Sequence, residues 1–259
     1  MAGYDYEYFK KEIYNLTKID LNAYKENQMK RRIDALISKN KITGYDNFVK
    51  AIKVDKKLFE AFVNYLTINV SEFYRNPDQW QVLDKEIIPY LIKKFGKNLK
   101  IWSAACSTGD EPYSLVMALA EHLPLNQIKI YATDIDKQVI EKAKVGLYNQ
   151  KSIAAVPDKM KKKYFTQVGT SYRINDEIKA RVEFKESNLL KDAYPTNYHM
   201  IVCRNVLIYF TEEAKDDVFR KFQKALAKDG ILFIGSTEQI MNYKAMGYGR
   251  MNSFFYVAE

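Results

Sequence analysis

Cysteine and histidine are nearly absent from this chain: its 259 residues include only Cys106, Cys203, His122 and His199. So few ligand-bearing side chains form neither a structural zinc site nor a disulfide framework, which points to a reduced compartment. Long apolar runs are also missing. None reaches the roughly 20 residues that a spanning helix needs, and the polar, tyrosine-rich opening MAGYDYEYFKKE is unlike a signal peptide. A cytoplasmic protein without a metal is the expectation. Acidic residues are outnumbered, 32 against 41 Lys and Arg, for a formal net charge of +9. That excess suits a nucleic acid or any other acidic partner, protein included, and composition does not choose between them. Apolar residues make up 47% of the chain, ample for a buried core in one large or two modest domains.

The most informative stretch is LKIWSAACSTGDEP, residues 99–112. An apolar strand (99–102) runs into a turn (103–109) of small residues, where a ligand can approach the backbone closely. Pro112 then suits the first turn of a helix over 113–122. A dinucleotide site would carry three glycines and no acid at the helix mouth, because pyrophosphate sits on the free N–H groups there. Here Gly109 stands alone and Asp110 and Glu111 follow it. Two carboxylates repel phosphate but suit S-adenosylmethionine, which carries an ammonium and a sulfonium. The purely structural alternative is acidic capping of an ordinary helix. A second apolar run, IKIYAT at 128–133, ends in Asp134, 25 residues beyond Gly109. A carboxylate there can accept hydrogen bonds from ribose hydroxyls, though the usual separation is about 20. Asp136 reads as the cap of a helix over 137–145.

Organisation changes near residue 75. Before it, four helical patterns follow one another at about 5–16, 21–39, 44–52 and 56–68. After it come a connecting helix at 78–95 and then strands alternating with helices, which implies a parallel sheet. Strands are expected at 99–103, 128–133, 182–186, 200–203 and 231–235, with a terminal strand at 253–257. The stretch 146–180 breaks the alternation, and a turn signal at Gly169 and Thr170 makes 164–174 a hairpin inserted between a helix and a strand. The predicted class is α/β: a Rossmann-like domain over 76–259 with a helical domain over 1–75 and an inserted β-subdomain at about 147–181.

Three further segments bear polar groups at such edges. MIVCRNVLIYF (200–210) ends a strand at Cys203 and presents Arg204, Asn205 and Tyr209. Asn205 offers a donor and an acceptor, and Tyr209 a hydroxyl on a rigid ring. VEFKESNLL (182–190) ends another strand near Asn188, and TINVSEFYR (67–75) closes the helical segment with Asn69, Ser71, Tyr74 and Arg75. A half-buried aromatic at Tyr209 and a capped linker at 67–75 are the structural alternatives.

TINVSEFYR, IWSAACSTGDEPYS, ATDID, NLL, CRNVLIYF and GILFIGSTEQ occur in the order and spacing of the chemotaxis receptor glutamate O-methyltransferase (CheR) family, and the chain resembles that family over nearly its whole length. The resemblance implies methyl transfer from S-adenosylmethionine to glutamate side chains of chemoreceptors, leaving S-adenosylhomocysteine and giving methyl esters used in sensory adaptation. It implies cofactor contacts at Asn69, Ser71, Arg75, Ala105, Glu111, Asp134, Asn188, Leu189, Cys203, Arg204 and Asn205. Arg75 and Tyr209 match the positions nearest the reacting carboxylate. Two departures stand out: Ser71 where Thr is common, and Gly235-Ser236-Thr237-Glu238 in place of Gly-His-Ser-Glu. It further implies a monomer recruited from the cytoplasm to membrane-bound receptor arrays, with no nucleic acid partner and no insertion into the membrane. In some family members a β-subdomain tethers a short peptide at the receptor's C-terminus.

The helix expected at 21–39 carries Met29, Ile33, Leu36 and Ile37 on one face, and Lys25, Lys30, Arg31 and Arg32 on the others. The basic residues suit an acidic receptor helix bundle; a solvated charged face is the alternative. Two rival functions remain. A nucleic-acid methyltransferase fits the charge and the 20 tyrosines and 14 phenylalanines. Against it, adenine amino-methylation wants an Asn/Asp-Pro-Pro-aromatic segment that Cys203-Arg204-Asn205-Val206 does not supply. Cytosine C5-methylation needs a nucleophilic cysteine, and Cys203 ends a buried strand. A cofactor-binding sensor without turnover would tolerate loss of Arg75 or Tyr209, and both are present. Arg75→Ala or Tyr209→Phe is therefore expected to cut turnover far more than cofactor affinity; a variant with full activity would remove that residue's catalytic role.

Overall fold

The computed structural model describes residues 5–259, which divide into two compact units. The first is Met1–Asn69 with Ile208–Asp216, and the second is Val70–Leu207 with Asp217–Glu259. Val70 to Arg75 thus count with the second unit.

The first unit is built on four helices, α1 (Tyr6–Thr17), α2 (Glu26–Lys39), α3 (Tyr45–Val54) and α4 (Lys56–Thr67). Asp5 and Asp55 cap α1 and α4 by accepting the N–H groups of Tyr8 and Leu58. The apolar stripes bury Phe9, Ile13, Ile33, Phe48 and Phe62, with Phe9 and Phe62 edge to face at 6.1 Å and Phe48 and Phe62 at 5.3 Å. One expectation needs correction: 21–39 is not a continuous helix. Asp20 caps a single 3₁₀ turn, Leu21–Ala23, and Tyr24 leaves it in extended conformation. Tyr24 then forms an antiparallel bridge with Phe210, flanked by Lys25 N–H to the Tyr209 carbonyl and Thr211 N–H to the Ala23 carbonyl, both 2.9 Å. The segment holding Tyr209 is sewn to this unit by backbone hydrogen bonds that local periodicity does not reveal.

The second unit opens with α5 (Pro77–Val82), a π-helical turn (Leu83–Ile87) and α6 (Ile88–Phe95). The π turn precedes Pro89, which has no N–H to continue the α-helical ladder. There follow β1 (Ile101–Ala104), α7 (Asp110–Leu119), β2 (Ile130–Asp134), α8 (Lys137–Val145), β3 (Leu147–Asn149), α9 (Asp158–Tyr164), β4 (Phe165–Val168), β5 (Ser171–Ile174), α10 (Asp176–Lys179), β6 (Val182–Glu186) and β7 (Tyr198–Cys203). The chain closes with α11 (Glu212–Ala225), β8 (Leu226–Ile234), β9 (Tyr248–Arg250) and β10 (Phe255–Ala258). A seven-stranded sheet has the order β6-β2-β1-β7-β8-β10-β9. Its first five strands are parallel, while β10 and β9 pair antiparallel at one edge, so the sheet is mixed. Strand order reverses between β1 and β7, which open α/β sheets use for ligands.

The inserted segment forms a three-stranded antiparallel sheet, β3-β5-β4, with Gly169 in left-handed conformation at the β4–β5 turn. Its strand β3 and the edge strand β9 are three residues long and carry no periodicity that a sequence reading could catch. Phe73, from the segment before α5, packs on this sheet. Its ring lies edge to face on Tyr148 at 4.7 Å and Phe165 at 5.2 Å, and its N–H donates to the Ser152 carbonyl.

Candidate cofactor and active site

The turn after β1 has three residues with positive φ, Ala105 (60°), Ser107 (48°) and Gly109 (87°), so the chain doubles back tightly before α7. At Gly109 the requirement for glycine is steric as well: a Cβ would lie 2.8 Å from the Ala143 methyl and 3.0 Å from the Tyr113 ring. The helix begins at Asp110, earlier than expected, which puts Pro112 in the first turn, where its missing N–H costs nothing. Tyr148, from the inserted sheet, donates its hydroxyl to the Thr108 carbonyl at 2.7 Å and holds the far side of the turn.

Asp134 ends β2 beside this turn. One of its oxygens accepts the Ser107 N–H at 2.8 Å and the other the Asp136 N–H at 2.9 Å. Burial pushes its carboxyl up to about 6, against the opposing pull of those backbone donors. Asp136 caps α8 through the Gln138 N–H, so the two aspartates have separate tasks.

The acids at the mouth of α7 are both engaged. Asp110 accepts the Thr108 hydroxyl at 2.5 Å, and burial raises its pKa, with Thr108 and Ser71 opposing. Glu111 accepts the Ser103 hydroxyl at 2.8 Å, and its other oxygen lies 3.7 Å from Arg204. Burial raises this carboxyl as well, with the Arg204 charge and the Ser103 bond pulling it down.

Arg204 is buried. One of its terminal nitrogens donates to the Arg75 carbonyl at 2.6 Å, the Gln79 side chain at 2.7 Å and the Asn76 side chain at 3.2 Å. Its guanidinium lies over the Phe233 ring at 4.8 Å. The guanidinium is thus held by protein acceptors through one terminal nitrogen, while its buried Nε has no hydrogen-bond partner. Arg75 makes one long side-chain bond, 3.4 Å to the Val70 carbonyl. Asn188 accepts the Leu190 N–H through its side chain, and its own N–H goes to Asp192; Leu189 beside it is buried.

Of the expected site residues, Ser71, Arg75, Ala105, Glu111, Asp134, Asn188, Leu189, Cys203, Arg204 and Asn205 belong to the second unit. Asn69 and Tyr209 belong to the first, as do Lys25, Lys30, Arg31 and Arg32. Asn69 donates to Asn64 and Thr67 at 2.9 and 2.8 Å. Lys25, Lys30 and Arg31 are exposed, but Arg32 is folded back: it donates to the Tyr65 carbonyl at 2.9 Å and stacks on that ring at 4.5 Å. Sequence reasoning missed Ser107, Gln79 and Tyr148. Ser107 was hidden because what it supplies is a backbone N–H, and the other two because their partners lie far away in sequence.

Among the described residues, four buried polar atoms in the segments after β1 and β7 have no hydrogen-bond partner: Ser107 Oγ and Asp110 Oδ1 after β1, and Arg204 Nε and Asn205 Oδ1 after β7. These orphaned atoms, the Asp134 carboxylate and a turn that admits no side chain at Gly109 form a donor–acceptor set that fits an adenosine-bearing ligand. Cys203 is fully buried and burial raises its thiol well above the ordinary range, so it is no thiolate nucleophile.

Residues 69–251 match the family model described as CheR methyltransferase, SAM binding domain, and residues 4–67 match the CheR all-alpha domain. The chain belongs to the CheR methyltransferase family. It is 39% identical to the chemotaxis protein methyltransferase of Listeria innocua over 98% of this chain and 97% of that one. It is 32% identical to the Borreliella burgdorferi protein of the same name, over 92% and 89% of the two chains. Like other CheR-family proteins it is a methyltransferase dependent on S-adenosylmethionine, and the site fits that cofactor. Among the described residues no helix is long and apolar enough to cross a membrane.

A ribose hydroxyl donates to the ionised form of a carboxylate, so cofactor affinity should follow the Asp134 titration. Affinity is expected to be constant above pH 7 and to fall through about pH 6, by roughly tenfold at pH 5. The fold responds with the opposite sign: because this pKa is raised on folding, the stability the group contributes is complete below pH 3.8 and is lost as pH rises through about 6. Calorimetric titration with cofactor between pH 5 and 8 checks the first statement. Asp134→Asn should bind weakly and lose that pH dependence; a wild-type affinity flat down to pH 5 would contradict the assignment.

Proposed function

We propose that this CheR-family enzyme methylates glutamate side-chain carboxylates on the cytoplasmic helices of chemoreceptors, forming glutamyl methyl esters. The observation that carries the reading is likeness over nearly the whole chain to proteins named chemotaxis protein methyltransferase, the helical part included. In this reading residues 76–259 form the methyltransferase domain, with the inserted β-subdomain at about 147–181, residues 1–75 are the helical N-terminal domain, and the basic residues on and beside α2 meet the receptor.

S-adenosylmethionine supplies an electrophilic methyl group and leaves as S-adenosylhomocysteine. Asp134 would take the ribose hydroxyls, while Asn69, Ser71, Ala105, Glu111, Asn188, Leu189 and the 203–205 segment would line the cofactor. The acceptor needs no base: a glutamate side chain, with an ordinary pKa of about 4.3, is already an anion at neutral pH. The protein's contribution is position and the exclusion of water. Arg75 can grip a carboxylate through two donors, and Tyr209 can fix the attacking oxygen. Arg75 has a single long side-chain contact, which leaves its guanidinium available for that task.

Lys25, Lys30 and Arg31 on and beside α2 are exposed and suit an acidic helical partner. Arg32 is held by Tyr65, so its replacement would disturb the helical unit and is a poor probe of docking.

The test is incubation with methyl-labelled cofactor, a chemoreceptor cytoplasmic fragment and, separately, total RNA. Label on the receptor that mild base releases, and that is lost when its glutamates are changed to alanine, is expected. Base-stable label on RNA would overturn the reading. In the same assay Lys30→Glu with Arg31→Glu should raise receptor KM severalfold and weaken its salt dependence with kcat unchanged; unaltered kinetics would remove α2 from the docking surface.

A further inference from the structure

We propose that Glu238, outside the cofactor contacts assigned above, is a positioning residue for cofactor binding that acts by fixing the turn after β7. The proposal rests on the reading that this turn, through Asn205, faces the cofactor.

Glu238 is 5% exposed and follows β8 by four residues. Its Oε2 accepts the N–H groups of Asn205 at 2.9 Å and Gly235 at 2.7 Å. Its Oε1 accepts those of Val206 at 3.0 Å and Leu207 at 2.9 Å. Four backbone donors thus converge on one carboxylate. They come from two adjacent parallel strands just where each has left the sheet, β7 at Cys203 and β8 at Ile234. Without the carboxylate these donors would be buried with no acceptor.

The neighbours are arranged around this contact. A Cβ at Gly235 would lie 2.7 Å from Glu238 Oε2 and 2.8 Å from the Asn205 nitrogen, so glycine leaves the opening through which the carboxylate reaches the turn. Asn205 sits at φ 61°, in the left-handed region that asparagine tolerates better than most residues, at the tight turn that follows β7. Its N–H is tied to Glu238, and its side-chain Oδ1 is buried without a partner. The carboxylate therefore determines where an uncommitted amide oxygen points, at the strand end next to β1. Within the Gly-Ser-Thr-Glu segment Ser236 and Thr237 face solvent, whereas Gly235 and Glu238 are buried and meet at this contact.

Glu238→Gln keeps the shape but turns one acceptor oxygen into an NH₂ group, which in either orientation meets two backbone donors. Calorimetry should show the dissociation constant for S-adenosylmethionine rising at least tenfold, with the amide protons of residues 205–207 shifted upfield and exchanging faster. Glu238→Asp, which keeps both oxygens on a shorter stem, should recover part of the affinity, and decides the matter if the Gln variant does not fold. Phe222→Leu, which loosens the buried core of the same unit, should lower the melting temperature without changing cofactor affinity. A folded Glu238→Gln protein with affinity within twofold of wild type would overturn the proposal, as would a loss of affinity that Phe222→Leu reproduces. Asn205→Ala separates the two levels: weakened binding there with normal binding in Glu238→Gln sinks only the positioning role. Normal binding in both would remove the turn from the cofactor site, whatever the methylated substrate proves to be.

Discussion

Parallel strands that stop side by side inside a protein leave backbone N–H groups pointing where no further strand can accept them, and this unit meets that constraint with carboxylates. Asp134 takes the donors of Ser107 and Asp136 at the end of β2, and Glu238 takes four at the ends of β7 and β8. A carboxylate offers about four acceptor sites and can collect several donors that approach from different directions. The cost is a buried charge, visible in the raised pKa of Asp134. Turns built this way present polar groups at the carboxyl edge of the sheet while the strands behind them remain apolar.

Arg204 completes the arrangement from the other side. Its guanidinium joins the carbonyl of Arg75 and the side chains of Asn76 and Gln79 to Glu111 at the start of α7. Trp80 reinforces the same carbonyl through its indole N–H at 3.0 Å. A positive charge buried against one carboxylate and three neutral acceptors is costly to remove, since each acceptor would be stranded. The segment that leads into α5 is thereby held beside the turn after β1, and the backbone of Arg75 is anchored while its guanidinium keeps one long bond, to the Val70 carbonyl.

Much of this could be read in the residues. β1, β7 and the second half of β8 are buried on both faces and appear as apolar runs, and the small residues at 103–109 mark the turn because bulk is excluded there. The hairpin at Gly169 carries its own turn signal. What was not legible depends on partners distant in sequence. The break at Tyr24 is set by its bridge to Phe210, and Arg32 is diverted to Tyr65. Asp110 and Glu111 read from their charge as suited to a cationic ligand, and the contacts that hold them, Thr108 on Asp110 and Ser103 and Arg204 on Glu111, are not visible locally. Glu238 stands in GILFIGSTEQ, a segment that matches the family with a departure at Ser236 and Thr237, and nothing local shows that its carboxylate reaches back to residues 205–207.

We propose that the buried, backbone-bound carboxylate of Asp134 at the end of β2 anchors the cofactor. Carbon-detected NMR titration of the Asp134 carboxyl, with and without S-adenosylmethionine, tests this most directly. The cofactor-free protein should titrate near pH 6, and the midpoint should fall when hydroxyl donors of the ligand stabilise the charged form. A midpoint at or below about 4, the value of an ordinary solvated aspartate, and unmoved by cofactor, would contradict it.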